Sequence, residues 1–470
     1  MDIRFTLQAE YSGTQFVAGP FNLYGYTAAA PTTSVLLTPT PVTKQQLLAG
    51  YIVTTGLNIV GGTIQSTGTC SATPPEAYTL QFSSGPVIIG NFSNYGTNSD
   101  VGIVKLTNAL SADTTFNVGS GFGFGTGGLN FETGPMSIAK VSNGKIVVGG
   151  VFTSYDGISN SGIIRLNPDG SRDYTFSGVG TTFNGKVILS VDVQSDGKII
   201  VGGSNTSTVS PTGSGAGMLV RLNLDGSLDT GFNVAGLNLT GTVRVVRVLP
   251  QDNDNILFAG NNFGLNKVNS TGTGVNFPPI NITPFTTFDY LGSIYCLDLD
   301  SSGRIMIGGL WTSIFGTTVN SPVRISASGT LDTGWYPRCS GGGGVVTSMA
   351  ESNTSTNEVV IVGTFTNVSL SSIPKTGIVK VSTTGAILSG FITTATYDTS
   401  IDTLNTWFPG SRISVLTNGN LLWMGKMSTV NSGNSYKNIV VLDSNGNIVA
   451  PINPNIGLSN LAIYRDSVSF

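Results

Sequence analysis

The chain has 470 residues, of which 10% are charged and 39% hydrophobic, whereas roughly 25% of residues are charged in an average soluble protein. This apolar content argues against a disordered chain. The net charge of −3 gives no electrostatic reason to expect binding to nucleic acid or to an anionic membrane. Because there is no histidine, imidazole-based catalytic triads and zinc sites that need histidine are excluded.

Residues 1–76 precede any repeat and alternate apolar and polar positions, as in FTLQAEYSG and TSVLLTPT. Such alternation is typical of short strands with one buried face. We therefore predict a small N-terminal β-sandwich that ends before Pro74 and Pro75 stiffen the chain. The first residues, MDIRFTLQAEYSG, lack the apolar stretch of a secretory signal. We thus expect a protein made in the cytoplasm and not inserted into a membrane.

From residue 77 onward, an apolar run that ends in glycine recurs seven times. The clearest copies are IVVGG at 146–150, IIVGG at 199–203 and IMIGG at 305–309. Weaker copies, aligned on their own small residues, lie at 87–91, 256–260, 359–364 and 421–426, with Gly90, Gly363 and Gly425 taken as equivalents of Gly149. Repeats of this length predict one supersecondary unit that is stacked many times.

Each copy is predicted to hold four antiparallel strands. In the second copy, SIAKV (137–141) is joined to KIVVGG (145–150) by an Asn-Gly turn, and GIIRLN (162–167) is followed by an Asp-Gly turn. These dipeptides are strong hairpin signals. Seven four-stranded units predict an all-β, seven-bladed β-propeller over residues 77–470. The segment 461–470 either joins a blade or leaves the ring.

A charge pattern accompanies the third strand of the copies. A cation recurs there in six copies, at Lys105, Arg165, Arg221, Lys267, Arg324 and Lys380, and the seventh copy has Val441. Eight residues later an aspartate follows in four copies, at Asp113, Asp173, Asp229 and Asp332. Three residues further comes an aromatic, at Phe116, Phe176, Phe232, Trp335 and Phe391. We interpret each cation and aspartate as a cross-strand pair that stabilises a blade, rather than as a ring of cations that grips an anion.

Loop aromatics are the ligand-binding candidates. Tyr95, Tyr155 and Phe315 follow the second strand of their copies in FSNYG, FTSYDG and WTSIFG. Such rings would lie on one rim of the propeller, where they could stack on a sugar or anchor a protein. The alternative is that they pack against the next blade.

No catalytic residue, cofactor or metal ion is predicted. Cys70, Cys296 and Cys339 are far apart and show no CxxC spacing, which favours buried or semi-buried free thiols. A glycan hydrolase needs paired carboxylates. The five glutamates show no recurring spacing, and most aspartates fall in predicted turns. A carboxylate pair assembled across blades remains the enzymatic alternative.

The segments SNGKIVVGGVFTSYDG…GIIRLNPDGSRDYTF (142–176) and SDGKIIVGG…MLVRLNLDGSLDTGFN (195–233) closely resemble the delta-sixty repeat. That repeat occurs in bacterial surface propellers and in some phage virion proteins. The resemblance implies the propeller fold and brings no shared catalytic residues. It is weaker in the fourth and seventh copies, where the Asp-Gly turn and its aspartate are lost.

The segment GPFNLYGYT…VTKQQLLAGYIV…STGTC (19–70) is similar to small β-domains of tail and virion proteins from crAss-like phages. This resemblance implies a virion protein that is assembled in the host cytoplasm, with several copies in a symmetric particle. Residues 1–76 would bind other virion proteins, and the propeller would be structural or would face a host glycan or protein. A bacterial surface adhesin and a tail-borne glycan hydrolase are the alternatives.

Overall fold

The computed structural model describes most of residues 85–450 and the strand at 461–464. Its gaps include 96–100, 125–133, 206–216, 284–292, 369–372, 398–410 and 431–438, with several shorter ones. Before residue 85 it describes only short strands. The chain divides into two compact units, Met1–Leu80 and Gln81–Phe470. The predicted boundary after residue 76 lies outside the described residues and stays a prediction.

The first unit holds eight short antiparallel strands among its described residues. Two three-stranded sheets and one strand pair form. The first sheet contains Ala9–Ser12, Gln15–Ala18 and Val42–Thr43. The second contains Phe21–Asn22, Leu36–Thr38 and Asn58–Ile59. The pair is Ile3–Arg4 with Tyr24–Gly25. The predicted β-sandwich stays a prediction, because nothing describes how these sheets pack.

Among the described residues of the second unit, seven larger sheets share one antiparallel pattern. We refer to these sheets as blades 1 to 7 and to their strands as a, b and c from inside outward. The a strands are Leu461–Tyr464 in blade 1, then Gly134–Lys140, Val187–Val193, Val243–Leu249, Ser293–Leu299, Val346–Asn353 and Arg412–Val415. The b strands are Val87–Gly90, Ile146–Val151, Ile199–Ser204, Asn255–Gly260, Ile305–Leu310, Glu358–Gly363 and Leu421–Met424. The c strands are Ile103–Lys105, Ile163–Leu166, Gly217–Leu222, Gly264–Val268, Val323–Ile325, Ile378–Val381 and Ile439–Leu442.

The a strands contact one another in blade order, from Gly134–Lys140 to Arg412–Val415. The strand Leu461–Tyr464 contacts both of these end members and pairs with Val87–Gly90 of blade 1. The C-terminal segment therefore joins a blade, which is one of the two alternatives left open by the sequence. Sheets arranged around a common axis in this way form a β-propeller.

The predicted fourth strand is mostly reduced to one residue pair, which corrects the expectation of four-stranded blades. In the part of the chain that the structure describes, a fourth strand is present in blade 7 alone, at Ile448–Ala450. In blade 2, Leu166 bridges Arg172, and the chain then turns at Asp173, whose carbonyl accepts from the backbone N–H of Phe176 at 3.1 Å. This turn directs Phe176 into the core between blades, so the strand ends after a single bridge.

Smaller sheets connect neighbouring blades by joining the end of one to the loop after strand b of the next. One contains Phe122–Gly123, Ser154–Tyr155 and Ile158–Ser159. Another contains Cys339–Ser340, Asn367–Val368 and Ile373–Pro374. Two are strand pairs, Ile282–Thr283 with Ser313–Ile314 and Ala395–Tyr397 with Met427–Val430. The described residues also include one turn of 3-10 helix, Pro250–Asp252, and no α-helix.

Close packing explains why strand b ends in two glycines, and the neighbour is different for each. A Cβ on Gly149 would lie 2.6 Å from Ile188 Cγ2, on strand a of the next blade. A Cβ on Gly150 would lie 2.3 Å from the carbonyl oxygen of Gly134, on strand a of its own blade. Strand register makes Gly90 and Gly363 equivalents of Gly150, not of Gly149 as the sequence alignment had them.

The cores lie between blades, which explains why strand b is apolar on both faces. One cluster combines Val87 and Ile89 of blade 1 with Ile146 and Val148 of blade 2. The other face of blade 1 presents Ile88 to a cluster that includes residues of blade 7. Each blade is therefore stabilised mainly by the apolar area that it buries against its two neighbours.

Candidate functional site

The cation of strand c is part of a buried charge cluster. In blade 2, Arg165 Nε donates to Asp173 Oδ2 at 2.6 Å, and Lys145 Nζ donates to the same oxygen at 2.8 Å. The other oxygen, Asp173 Oδ1, accepts from the backbone N–H of Thr175 at 3.0 Å. The side chains of Arg165 and Asp173 are both buried. The hairpin turn thus places a carboxylate next to the cation, as the spacing of eight residues between the two indicated.

The structure brings together the other three cation–aspartate pairs as well. Their shortest distances are 3.2 Å for Lys105–Asp113, 2.9 Å for Arg221–Asp229 and 2.7 Å for Arg324–Asp332. The cations also lie over the aromatic that follows, at 5.8 Å for Lys105–Phe116, 4.9 Å for Arg165–Phe176, 5.1 Å for Arg221–Phe232, 5.5 Å for Lys267–Phe277 and 5.1 Å for Arg324–Trp335. These five cations therefore each have a π-face as a neighbour.

The cations also bond to the next blade, which the sequence did not predict. Four of them donate to a carbonyl in the turn after strand c of the following blade. The donor–acceptor pairs are Arg165 with Leu224, Arg221 with Ser270, Arg324 with Thr383 at 2.8 Å, and Lys380 with Ser444 at 3.1 Å. The charges consequently stabilise the contact between blades as well as the single hairpin.

Where the aspartate is missing, another carboxylate takes its place. Blade 6 has Leu388 at that position, and Lys380 Nζ instead contacts Glu358, 2.5 Å from its Oε2. Glu358 stands at the start of strand b, where blade 2 has Lys145. In blade 4, Lys267 contacts Asp252 of the 3-10 turn at 2.5 Å.

Blade 7 lacks the pair altogether. Val441 stands at the cation position and Val449 at the aspartate position, so both charges are absent together. A buried charge that loses its partner costs about 3–5 kcal/mol, whereas replacing both partners by apolar groups is often neutral. The six copies that keep the cation also keep a carboxylate beside it.

The aspartates are held in the charged form. Burial alone would raise the pKa of Asp173, but hydrogen bonds from Lys145, Thr175 and Arg165 outweigh it and keep that pKa well below its usual range. The hydrogen bond from Lys198 has the largest part in lowering the pKa of Asp229. Carboxylates held this firmly as anions are poorly suited to donate a proton near neutral pH.

The loop aromatics are less exposed than stacking on a ligand at the rim would require. Tyr95 and Tyr155 are buried, and the Tyr155 hydroxyl donates to the carbonyl of Gly170 at 2.6 Å. Phe315 is half-buried and packs against the core between blades 4 and 5. The packing alternative therefore describes Tyr95 and Tyr155, and the ligand-stacking hypothesis for these two rings was wrong.

A second group of charges lies on the a strands, around the axis. Arg247 of blade 4 stands beside Asp298 of blade 5, with Nη2 3.5 Å from Oδ1. Asp192 of blade 3 interacts electrostatically with both of them. Desolvation lowers the pKa of Arg247, and Asp298 and Asp192 more than offset it. Burial raises the pKa of Asp192, against lowering contributions from Arg247 and two backbone N–H groups.

These side chains also accept hydrogen bonds from backbone N–H groups of the a strands. Asp192 Oδ2 accepts from the backbone N–H of Val248 in the next blade at 2.8 Å, and its Oδ1 accepts from Val193 N–H at 2.9 Å. Serines act in the same way elsewhere. Ser137, Ser190 and Ser348 accept from backbone N–H groups of the following blade at 2.9, 3.1 and 3.3 Å. Unpaired edge groups are thus covered by the neighbouring blade.

Two further arginines lie on or beside the same strands. Arg244 is buried and lies 5.1 Å from the ring of Tyr295 in the next blade. Arg412 Nη1 donates to the carbonyl of Thr347 at 2.8 Å. Desolvation lowers the pKa of both guanidinium groups, and burial raises the pKa of the Cys296 thiol to about 12. Burial likewise raises the pKa of Cys339, so neither thiol is activated as a nucleophile.

Within the described ranges, no group of three or more cysteines and carboxylates could hold a metal ion. No helix in that part of the chain is long and apolar enough to cross a membrane. Sequence reasoning had missed Asp192, Arg247, Arg244 and Arg412. Strand register places Asp192, Arg247 and Asp298 at the same position of strand a in blades 3, 4 and 5. The signal in the sequence is a charge inside a mostly apolar run.

The family model described as "Domain of unknown function (DUF5122) beta-propeller" matches residues 87–116, 142–176 and 194–232. These ranges lie in blades 1 to 3 and end at Phe116, Phe176 and Phe232, the aromatics beneath the cations. The matched family and the observed sheets agree. The chain is a β-propeller protein. No curated protein matches it.

The solved structures that match this chain share little sequence with it. A protein of unknown function from Bacteroides caccae is 11% identical, with 81% of this chain and 98% of that one covered and a TM-score of 0.36. The WD40 β-propeller domain of Doa1 is 13% identical, with coverages of 74% and 88% and a TM-score of 0.41. The GH74 enzyme of Niastella koreensis is 9% identical, with coverages of 78% and 54% and a TM-score of 0.40.

Proposed function

We propose that this protein is a non-enzymatic structural component of a bacteriophage particle, associated with the tail. Residues 1–76 would attach it to other virion proteins, in several copies, during assembly in the host cytoplasm. Residues 77–470 would form a seven-bladed propeller of delta-sixty repeats that serves as a structural or host-receptor-facing module. No cofactor, nucleic acid or membrane insertion enters this proposal.

The observation that carries the non-enzymatic part is the use of the recurring charges. The buried cations of strand c bond to a carboxylate and, in four blades, to the next blade as well. Such interactions favour one rigid ring and leave the loops to vary. The phage assignment is supported by the resemblance of 19–70 to small virion domains and of 142–233 to the delta-sixty repeat.

Particle composition tests this proposal. Phage particles that carry the gene would be purified on a density gradient, analysed by mass spectrometry and labelled with gold-conjugated antibodies against the purified chain. We expect the chain in the particles and the label at the tail. A version without residues 1–76 should fold and stay out of particles. Detection of the chain only in the soluble fraction of the lysate would refute the virion role.

A glycan hydrolase is the second candidate function, because Asp192 and Asp298 lie near each other on inner strands of blades 3 and 5. A glycan hydrolase needs two carboxylates near each other, one as acid and the other as base or nucleophile. Against this function, both Asp192 oxygens already accept backbone N–H groups, and Asp298 Oδ1 accepts from Leu299 N–H at 2.9 Å.

The hydrolase candidate has a direct test. Purified chain would be incubated with host capsular polysaccharide, and the polymer length followed by size-exclusion chromatography with light scattering. We expect no shortening. Shortening that Asp192→Asn and Asp298→Asn both abolish, with the fold intact by circular dichroism, would establish the enzyme instead.

A further inference from the structure

Two outward positions beside the buried pair carry different residues in blade 2 than in blades 3 and 5. The residue after the aspartate is threonine in blades 1, 3 and 5, at Thr114, Thr230 and Thr333, and all three are exposed. In blade 2 it is Tyr174, the most exposed of the large hydrophobic side chains described, at 70%. The residue before the aspartate is leucine in blades 3 and 5 but Arg172 in blade 2.

These two departures lie side by side. The Arg172 guanidinium carbon is 5.9 Å from the centre of the Tyr174 ring. One of its nitrogens, Nη1, donates to the carbonyl of Ser159 at a long 3.5 Å. Ser159 belongs to an edge strand of a small sheet with Ile158, which is 40% exposed. Arg172 therefore joins two exposed segments of blade 2 into one surface, which we call the blade 2 patch: Ile158, Ser159, Arg172 and Tyr174.

The fold does not require these side chains. Threonine and leucine occupy the same positions in blades 3 and 5, whose Arg–Asp pairs form equally well at 2.9 and 2.7 Å. One exposed aromatic is common on protein surfaces. Two neighbouring changes that together expose an aromatic face next to a cation are characteristic of a recognition surface, where Tyr and Arg are enriched.

We propose that the blade 2 patch binds an acidic glycan, with a sugar ring stacked on Tyr174 and its carboxylate bound by Arg172. This inference rests on the proposed receptor-facing role of the propeller. A guanidinium presents paired N–H donors that match a carboxylate. An exposed aromatic face takes the C–H-rich side of a pyranose, while the tyrosine hydroxyl stays in water. The patch carries positive charge on a chain whose net charge is −3, so an anionic ligand is complementary to it locally.

The test uses the full chain and immobilised polymers of known chemistry. Polygalacturonate and alginate supply uronic acids, and a neutral galactan is the comparison. Binding would be followed by biolayer interferometry at two salt concentrations. We expect binding to the uronic polymers and not to the galactan, weakened by salt because the contact is electrostatic and exposed.

Two substitutions copy residues that other blades already use. Tyr174→Thr should weaken binding by about fivefold, since a well-placed aromatic contact contributes on the order of 1 kcal/mol. Arg172→Leu should abolish the preference for uronic polymers over galactan. Leu228→Thr is the control, because it removes an exposed side chain of blade 3 and should change nothing. All three should unfold at the wild-type temperature.

Three outcomes overturn the inference. They are no binding of either uronic polymer, equal binding of galactan, and binding that neither blade 2 variant changes. Capture of a particle protein through Tyr174 instead of a glycan would assign the patch to a protein partner. The particle test above is independent: the chain can be a tail protein without binding uronic acids, and it can bind them without being in particles.

Discussion

The charge compensation in blade 6 makes a quantitative prediction. Glu358→Asn removes the carboxylate beside Lys380, whose side chain is 9% exposed, and leaves the ammonium with the Ser444 carbonyl as its partner. Stranding a fully buried charge costs about 3–5 kcal/mol. The Glu358 side chain is 22% exposed and water can reach the site, so we expect a loss of about 2–3 kcal/mol in the free energy of unfolding.

Urea denaturation followed by tryptophan fluorescence measures this loss. With a slope of about 3 kcal/mol per molar for a unit of this size, the midpoint should fall by somewhat less than ~1 M. Two double variants should have a urea midpoint close to that of wild type. Glu358→Lys with Leu388→Asp reproduces the arrangement of blade 2, in which Lys145 and Arg165 share Asp173. Glu358→Asn with Lys380→Met removes both charges, as blade 7 does.

The relative stabilities of these variants decide whether the charges compensate one another. Both double variants should be more stable than Glu358→Asn alone, because each leaves no buried charge without a partner. If Glu358→Asn unfolds within about 0.5 kcal/mol of wild type, the pair is no stronger than a surface salt bridge. If the double variants are each less stable than the single one, the charges at these positions do not compensate one another.

Three further predictions concern acid stability, the glycine step and ring closure. Because the pKa of Asp173 is lowered in the folded state, the ionised carboxylate stabilises the fold fully above about pH 5, and this stabilisation is lost as the pH falls. Between about pH 5 and pH 2.5 the urea midpoint of wild type should approach that of Asp173→Asn. A constant difference between the two midpoints over this range would contradict the prediction. Gly149→Ala places a Cβ 2.6 Å from Ile188 and should cost about 1–3 kcal/mol in urea, whereas Gly236→Ala, with open space around it, should cost nothing measurable. Deleting residues 461–470 exposes the edge of Val87–Gly90 and should produce oligomers in size-exclusion chromatography; an unchanged monomer with an unchanged midpoint would contradict the closure.

Features that depend on short stretches of chain could be predicted from the sequence. The hairpin after strand c has a fixed length, so a cation and an aspartate eight residues apart must meet across it, as Arg165 and Asp173 do. The apolar runs that end in glycine likewise identified the b strands. The predicted fourth strand failed because the same aspartate that pairs with the cation also turns the chain inward toward the core.

Features that depend on how blades pack could not be predicted. Leu224 and Arg165 are 59 residues apart and meet because two blades lie side by side. Asp252 and Glu358 replace the missing aspartates from the turn before strand b and from the first residue of strand b, where the repeat pattern gave no reason to expect an acid. The ring of Tyr155 was placed on the rim from its loop position, yet its hydroxyl reaches the carbonyl of Gly170 and the ring is buried.

Compensation from different positions indicates what this fold constrains. A buried cation beneath the neighbouring blade requires a carboxylate within reach, but Asp173, Asp252 and Glu358 meet that requirement from three places in the blade. The constraint is therefore on local charge balance rather than on residue identity. Outward positions carry no such constraint, since threonine and tyrosine both follow the aspartate without disturbing the pair. In blade 6 the departure from the repeat supplies a carboxylate to a buried cation, so the stability of the fold explains it. In blade 2 the departure exposes an aromatic ring beside an arginine, and the stability of the fold does not explain it.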